Sequence, residues 1–84
     1  MKPIRLTKHA YEQARERGAN EAEIIEAITK GAREPVKHGR VLCRYNFAFG
    51  RNWQGRPYPI KQVASVIKEE ANEIVVITVY TFYF

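Results

Sequence analysis

The chain has 84 residues, 45% of them hydrophobic and 12% aromatic, enough for one small core but not for a second domain, which needs ~50 residues of its own. One cysteine, Cys43, excludes an internal disulfide framework, and with only two histidines no structural metal and no cofactor are expected. The net charge of +5 is unevenly placed: the residues up to Thr29 balance to zero, Lys30 to Lys61 carries eight bases against Glu34 alone, and Gln62 onward is acidic.

Met1 to Leu6 contains no apolar signal core, and no run approaches the ~18 apolar residues of a membrane span, so a cytoplasmic protein without a membrane partner is expected. Thr7 is placed to cap a helix running to Arg17, with Gly18 as its left-handed stop. Ala10, Tyr11, Ala14 and Gly18 form a narrow stripe of mostly small residues on that helix, suited to close packing on something flat. Asn20 followed by Glu23 is a capping-box variant, and Ile24, Ile25, Ala27 and Ile28 give the second helix an apolar face before Gly31. Only Gly18 and Ala19 separate the two helices, which predicts a tight helical hairpin.

A short strand fits near Glu34 to Lys37. From Gly39 the period becomes two: Val41, Cys43, Tyr45, Phe47 and Phe49 alternate with Leu42, Arg44, Asn46 and Ala48, as in a half-buried strand. Gly50 to Pro59 reads as a loop from its glycines and prolines. Ile60 to Glu69 is a further strand, and the nearly continuous apolar run from Ile74 to Phe84 predicts a central strand covered on both faces. The expected fold is α+β, with two N-terminal helices packed on one face of a three- or four-stranded antiparallel sheet.

His9-Ala10, Arg17-Gly18, the acidic-aliphatic segment Glu21 to Ile28 and the strand Ile74 to Tyr80 resemble the bacterial domain-of-unknown-function family 4258, over nearly the whole chain from Leu6 to Tyr80. That family is similar in layout to the RelE and BrnT type toxins, whose active members cut RNA. The resemblance therefore implies a RelE-like fold, RNA as a substrate class and a cognate acidic antitoxin-like protein as a partner.

Metal-independent RNA cleavage needs a base for the 2′-hydroxyl, cations for the charge gained at phosphorus and an acid for the leaving oxygen. His9 is the natural proton-transfer group, because imidazole titrates near neutrality; its alternative is a solvent-facing histidine beside Glu12, Gln13 and Glu16. Arg44 points away from the apolar side of its strand and would present a cation on the uncovered sheet face, with Lys61, Arg17 and Arg40 as further candidates and Tyr80 beside Thr78 to orient a phosphate. For Arg17 the alternative is a partner for the helix C-terminus, for Lys61 a solubilising charge at a strand edge, and for Tyr80 a core ring with its hydroxyl at the rim. Between Gly50 and Pro59, Arg51 and Arg56 interleave with Trp53 and Tyr58, the combination of charge and stacking surface that holds single-stranded RNA. The alternative there is a hairpin whose Trp53 folds back as a lid.

Three functions follow from these candidates: a RelE-like endoribonuclease, a nucleic-acid binding module without catalysis, and an interaction domain that forms a homodimer or binds a small protein.

Overall fold

The computed structural model describes residues 2–84, among which it places two α-helices and five strands, with a single 3-10 turn at Lys37–Gly39. In chain order they are β1 (Ile4–Leu6), α1 (Lys8–Arg17), α2 (Glu21–Lys30), β2 (Ala32–Val36), β3 (Arg40–Trp53), β4 (Arg56–Glu69) and β5 (Ile74–Tyr83). The helix ends match their sequence signals. The Thr7 side chain accepts from the Ala10 N–H at 3.1 Å, and Asn20 and Glu23 form a reciprocal capping box.

All five strands join one sheet in the order β1-β5-β4-β3-β2, with β1 parallel to β5 and every other neighbour antiparallel. The expected three- or four-stranded antiparallel sheet is therefore corrected to a five-stranded mixed one. β1 has no readable period because it is three residues long. It is held by two bonds flanking it: Ile74 N–H to the Pro3 carbonyl at 2.9 Å and Thr7 N–H to the Val76 carbonyl at 3.1 Å.

A second correction concerns Gly50 to Pro59, which is two strand arms rather than a loop. Only Gln54 and Gly55 turn, at φ of 50° and 82°, the pair of positive values that matches a two-residue hairpin to the strand twist. The misleading signals have local roles: Gly50 lies in a bulge between Ala48 and Arg51, and Pro57 faces Asn52 beyond the end of β5, where no ladder bond is lost.

The third correction is that β4, not Ile74–Tyr83, is the central strand. β5 is flanked by β1 only over Ile74 to Val76, and its apolar run reflects a bulge. Ile74 and Val76 face the helices, Ile77 is the extra residue of the bulge, and the phase then reverses so that Val79 is buried while Tyr80 and Phe82 are exposed.

Both helices lie on one sheet face, as their small and aliphatic stripes require. Ala10 and Ala14 bring α1 close to β5, and Ile24, Ala27 and Ile28 of α2 cover β3 and β4. Cys43, Val63, Ile67, Val76 and Val79 complete the core from the sheet side. Gly18 joins the two helices at φ 78°, and a Cβ there would stand 2.7 Å from the Trp53 ring and from the Tyr83 hydroxyl. Gly18→Ala combines left-handed backbone strain with that collision and is expected to lower the unfolding free energy by about 2 kcal/mol, read from the urea midpoint.

Candidate functional site

Residues opposite one another in an antiparallel ladder share a face, and this orders the side of the sheet away from the helices into rows. Leu42, Val66 and Thr78 form one, Arg44, Ala64 and Tyr80 the next, and Asn46, Gln62 and Phe82 the third. Ala64 projects little beyond its backbone, so the middle row is a floor with a guanidinium on one side and a phenol on the other. Their backbones are two strand spacings apart, ~10 Å. The result is an open groove of about 480 Å³. Lys37, beside His38 in the turn between β2 and β3, and Arg40 at the start of β3 give one end of the groove its positive charge.

Arg44 is paired with Glu34 of β2, whereas the buried Nε of Arg40 has no partner among the described residues. Tyr80 is 42% exposed and its ring lies nearly parallel to that of Phe82, at 22° and 6.5 Å between centroids.

The other border is built by α1. His9, Gln13 and Arg17 recur every fourth residue and run along the outer edge of β5. The Val79 N–H donates to Gln13 Oε1 at 3.0 Å, and Arg17 Nη1 donates to the Val79 carbonyl at 2.6 Å. Arg17 also reaches the open face, with its guanidinium carbon 5.2 Å from the centre of the Tyr80 ring. His9 is exposed, and its Nε2 is 3.5 Å from the Thr78 hydroxyl at the border of the groove. Gln13 also takes the Thr78 hydroxyl hydrogen bond. The sequence reading named Gln13 only as a neighbour of His9; the spacing of 9, 13 and 17 is the signal that would have found it.

The expected site residues thus divide between two faces. Arg40, Arg44 and Tyr80 line the groove, and His9 and Arg17 border it against Thr78 and Tyr80. Lys61 lies on the helix side, 3% exposed, in the row Phe47, Lys61 and Tyr83. Its Nζ donates to the Gly18 carbonyl and to Glu23 Oε1, both at 2.9 Å, and lies 5.4 Å from the centre of the Phe49 ring. That ammonium is fully engaged in holding the helices.

Trp53 and Tyr58 belong to the same side. Trp53 stacks on Tyr83 at 4.9 Å and 16°, and Tyr58 lies 5.8 Å from the same ring. Burial pushes the Tyr83 phenol up, and its hydroxyl donates to the Arg17 carbonyl at 2.7 Å. Arg51 covers Phe49 at 4.9 Å and Arg56 is exposed beside the hairpin turn. Trp53 therefore packs as a lid over the helix junction. Cys43 is buried beside Ser65, and burial pushes its thiol up, away from the reactive thiolate. Among the described residues no three His, Cys, Asp or Glu side chains gather as a metal site, and no helix is long and apolar enough to cross a membrane.

Removing the Lys61 charge strands Glu23, whose side chain is only 17% exposed. Lys61→Met is expected to destabilise the fold by about 3 kcal/mol in chemical denaturation, the cost of leaving one member of a buried pair alone.

Neither the curated proteins nor the solved structures contain a match to this chain. The family model described as "Domain of unknown function (DUF4258)" matches residues 6–81. The matched span holds both helices, the whole stripe of His9, Gln13 and Arg17, and the groove rows as far as Tyr80. By that match, which covers most of its length, the chain belongs to the DUF4258 family.

Proposed function

We propose that this domain binds single-stranded RNA across the open face of its sheet and, as a relative of the RelE and BrnT type toxins, cuts it there without a metal. The observation that supports this best is the row Arg44, Ala64 and Tyr80, in which a cation and an exposed aromatic ring face each other over a low floor. Single-stranded RNA offers the matching pair of groups, a flat base for the ring and a phosphate for the guanidinium. Tyr80 and Phe82 supply the stacking surface. Arg40 and Arg44 take the backbone on one side, and Arg17, held by the Val79 carbonyl, adds positive charge on the other.

Cleavage requires a proton acceptor at the border of that groove; of the two imidazoles there, His38 at one end and His9 beside Thr78, His9 is assigned this role. In this reading His9 removes the 2′-hydroxyl proton, the 2′-oxygen attacks phosphorus and the P–O5′ bond breaks to leave a 2′,3′-cyclic phosphate. The departing 5′-oxygen takes its proton from solvent water, to which His9 returns its own, and the arginines stabilise the charge that develops on the phosphate oxygens. The layout of two N-terminal helices on a sheet supports the toxin-like reading by analogy. The Glu34–Arg44 pair opens when a phosphate takes the place of the carboxylate, an exchange that costs little because exposed ion pairs are weak.

Titration of a fluorescent oligonucleotide over a series of salt concentrations separates the contributions. Replacing both Arg40 and Arg44 with alanine should reduce the slope of log K against log salt by up to ~1.4, since each single-strand phosphate contact contributes about 0.7. Tyr80→Ala should weaken binding by ~1 to 3 kcal/mol with the slope nearly unchanged. Absence of binding by the wild-type protein even at low salt would overturn the reading. His9→Ala should abolish cleavage of the bound oligonucleotide while leaving its affinity and the melting temperature close to wild type; cleavage at the wild-type rate would remove His9 from the site.

A further inference from the structure

The outer edge of β5 has its backbone groups matched in sequence until, near its end, the matching stops. In β5 the residues whose N–H and C=O groups point away from β4 are Ile74 and Val76 before the bulge and Val79, Thr81 and Tyr83 after it, because Phe84 and Ile60 exchange both of their backbone hydrogen bonds. Ile74 donates to Pro3, and Val76 accepts from Thr7. Thr7 also reaches the carbonyl of Ile77 through its hydroxyl, and Val79 is served on both groups by Gln13 and Arg17. The outward groups of Thr81 and Tyr83 have no partner among the described residues.

This free segment also lacks the usual protection of an edge. The opposite edge of the sheet, β2, carries Arg33, Glu34 and Pro35, which discourage pairing. From Ile74 to Phe84 there is no charged residue at all, and Tyr80, Phe82 and Phe84 are 42%, 48% and 54% exposed.

The geometry points to a second copy of this chain as the occupant, its β5 added antiparallel to this one about a two-fold axis at Phe82. In that register Thr81 of each copy lies opposite Tyr83 of the other, and the four unmatched N–H and C=O groups of each copy meet those of its partner in two narrow pairs. Phe82 meets Phe82 across the axis, and Tyr80 meets Phe84 on either side, so the exposed rings find aromatic partners. The paired strands carry no charged side chain, and Arg17, held at the Tyr80 ring, is the cation that borders the contact. An unrelated charged strand satisfies the backbone but leaves the rings against polar side chains. The two sheets become one, and the open face of each domain continues into that of its partner. This assignment does not depend on RNA binding.

Sedimentation equilibrium of the full chain over a micromolar to millimolar series should show a monomer–dimer equilibrium. Phe82→Lys and Phe82→Glu each place like charges face to face at the axis and should weaken self-association about tenfold or more, whereas an equimolar mixture of the two should restore it as a heterodimer. A third variant reads the same axis covalently. In a non-hydrogen-bonded antiparallel pair the Cα atoms are ~4.5 Å apart, within disulfide range, so Phe82→Cys should give a cross-linked dimer on mild oxidation while the buried Cys43 stays out of the reaction. A wild-type chain that stays monomeric over the whole series would overturn the proposal. So would charge variants that associate like wild type, or opposite charges that fail to rescue one another; and if the charged variants do not fold, the absence of a cross-link in the cysteine variant would do the same.

Discussion

Lys61 rises from the middle of β4 into the narrow space where the two helices meet, and its ammonium is the point at which helices and sheet are joined. It donates to the carbonyl of Gly18, at the C-terminal end of α1, and to the carboxylate of Glu23, in the first turn of α2. Both helix dipoles favour this arrangement, a cation at the C-terminal end of one helix and an anion at the N-terminal end of the other. Glu23 also accepts from the Asn20 N–H at 3.0 Å, so one carboxylate caps α2 and neutralises the buried amine. A buried ion pair adds little net stability compared with an apolar pair of similar volume, but it tolerates few alternative positions. Here that specificity fixes where the hairpin of helices sits on the sheet.

The position of α1 decides the rest of the edge. With its C-terminal end pinned over β4 and β5, the stripe of His9, Gln13 and Arg17 falls along the outer side of β5, where the polar ends of long side chains substitute for a missing strand. The same placement lets Arg17 and His9 reach around to groups of the opposite face, Tyr80 and Thr78. A helix packed on one side of the sheet thus contributes to a groove on the other. The aromatic cluster of Phe49, Trp53, Tyr58 and Tyr83 closes the far end of the junction against Gly18 and shelters the Lys61 amine.

Much of this architecture is legible in the residues. Thr7, Gly18, Asn20 and Glu23 mark the helix ends because caps are local, and the alternation around Cys43 correctly separates Arg44 from the core. What escapes the sequence is non-local. β1 is too short to show a period and exists because β5 offers it a partner. Gly50 and Pro57 signal irregular chain, yet the strands pass through both by means of a bulge and a free edge position. Lys61 looks like a surface base by its type, although its phase with Val63 places it inside; propensity by residue type misjudged it, and period would have read it correctly. Likewise the pairing of Trp53 with Tyr83 joins two distant segments that no local pattern connects.

The bulge in β5 links the fold to its surface chemistry. Had the strand kept a strict period of two after Ile74 and Val76, then Thr78, Tyr80 and Phe82 would face the helices, and Val79, Thr81 and Tyr83 would face solvent. The Tyr83 hydroxyl would lose the Arg17 carbonyl, and Trp53 would lose the ring it stacks on. The extra residue at Ile77 therefore does two things with one irregularity. It supplies the junction with its aromatic lid, and it turns two rings outward, Tyr80 to stand across Ala64 from Arg44 and Phe82 in the next row. The open face carries its aromatic rings because the core needed Tyr83, and the phase shift that brought it inward left Tyr80 and Phe82 no other side to occupy.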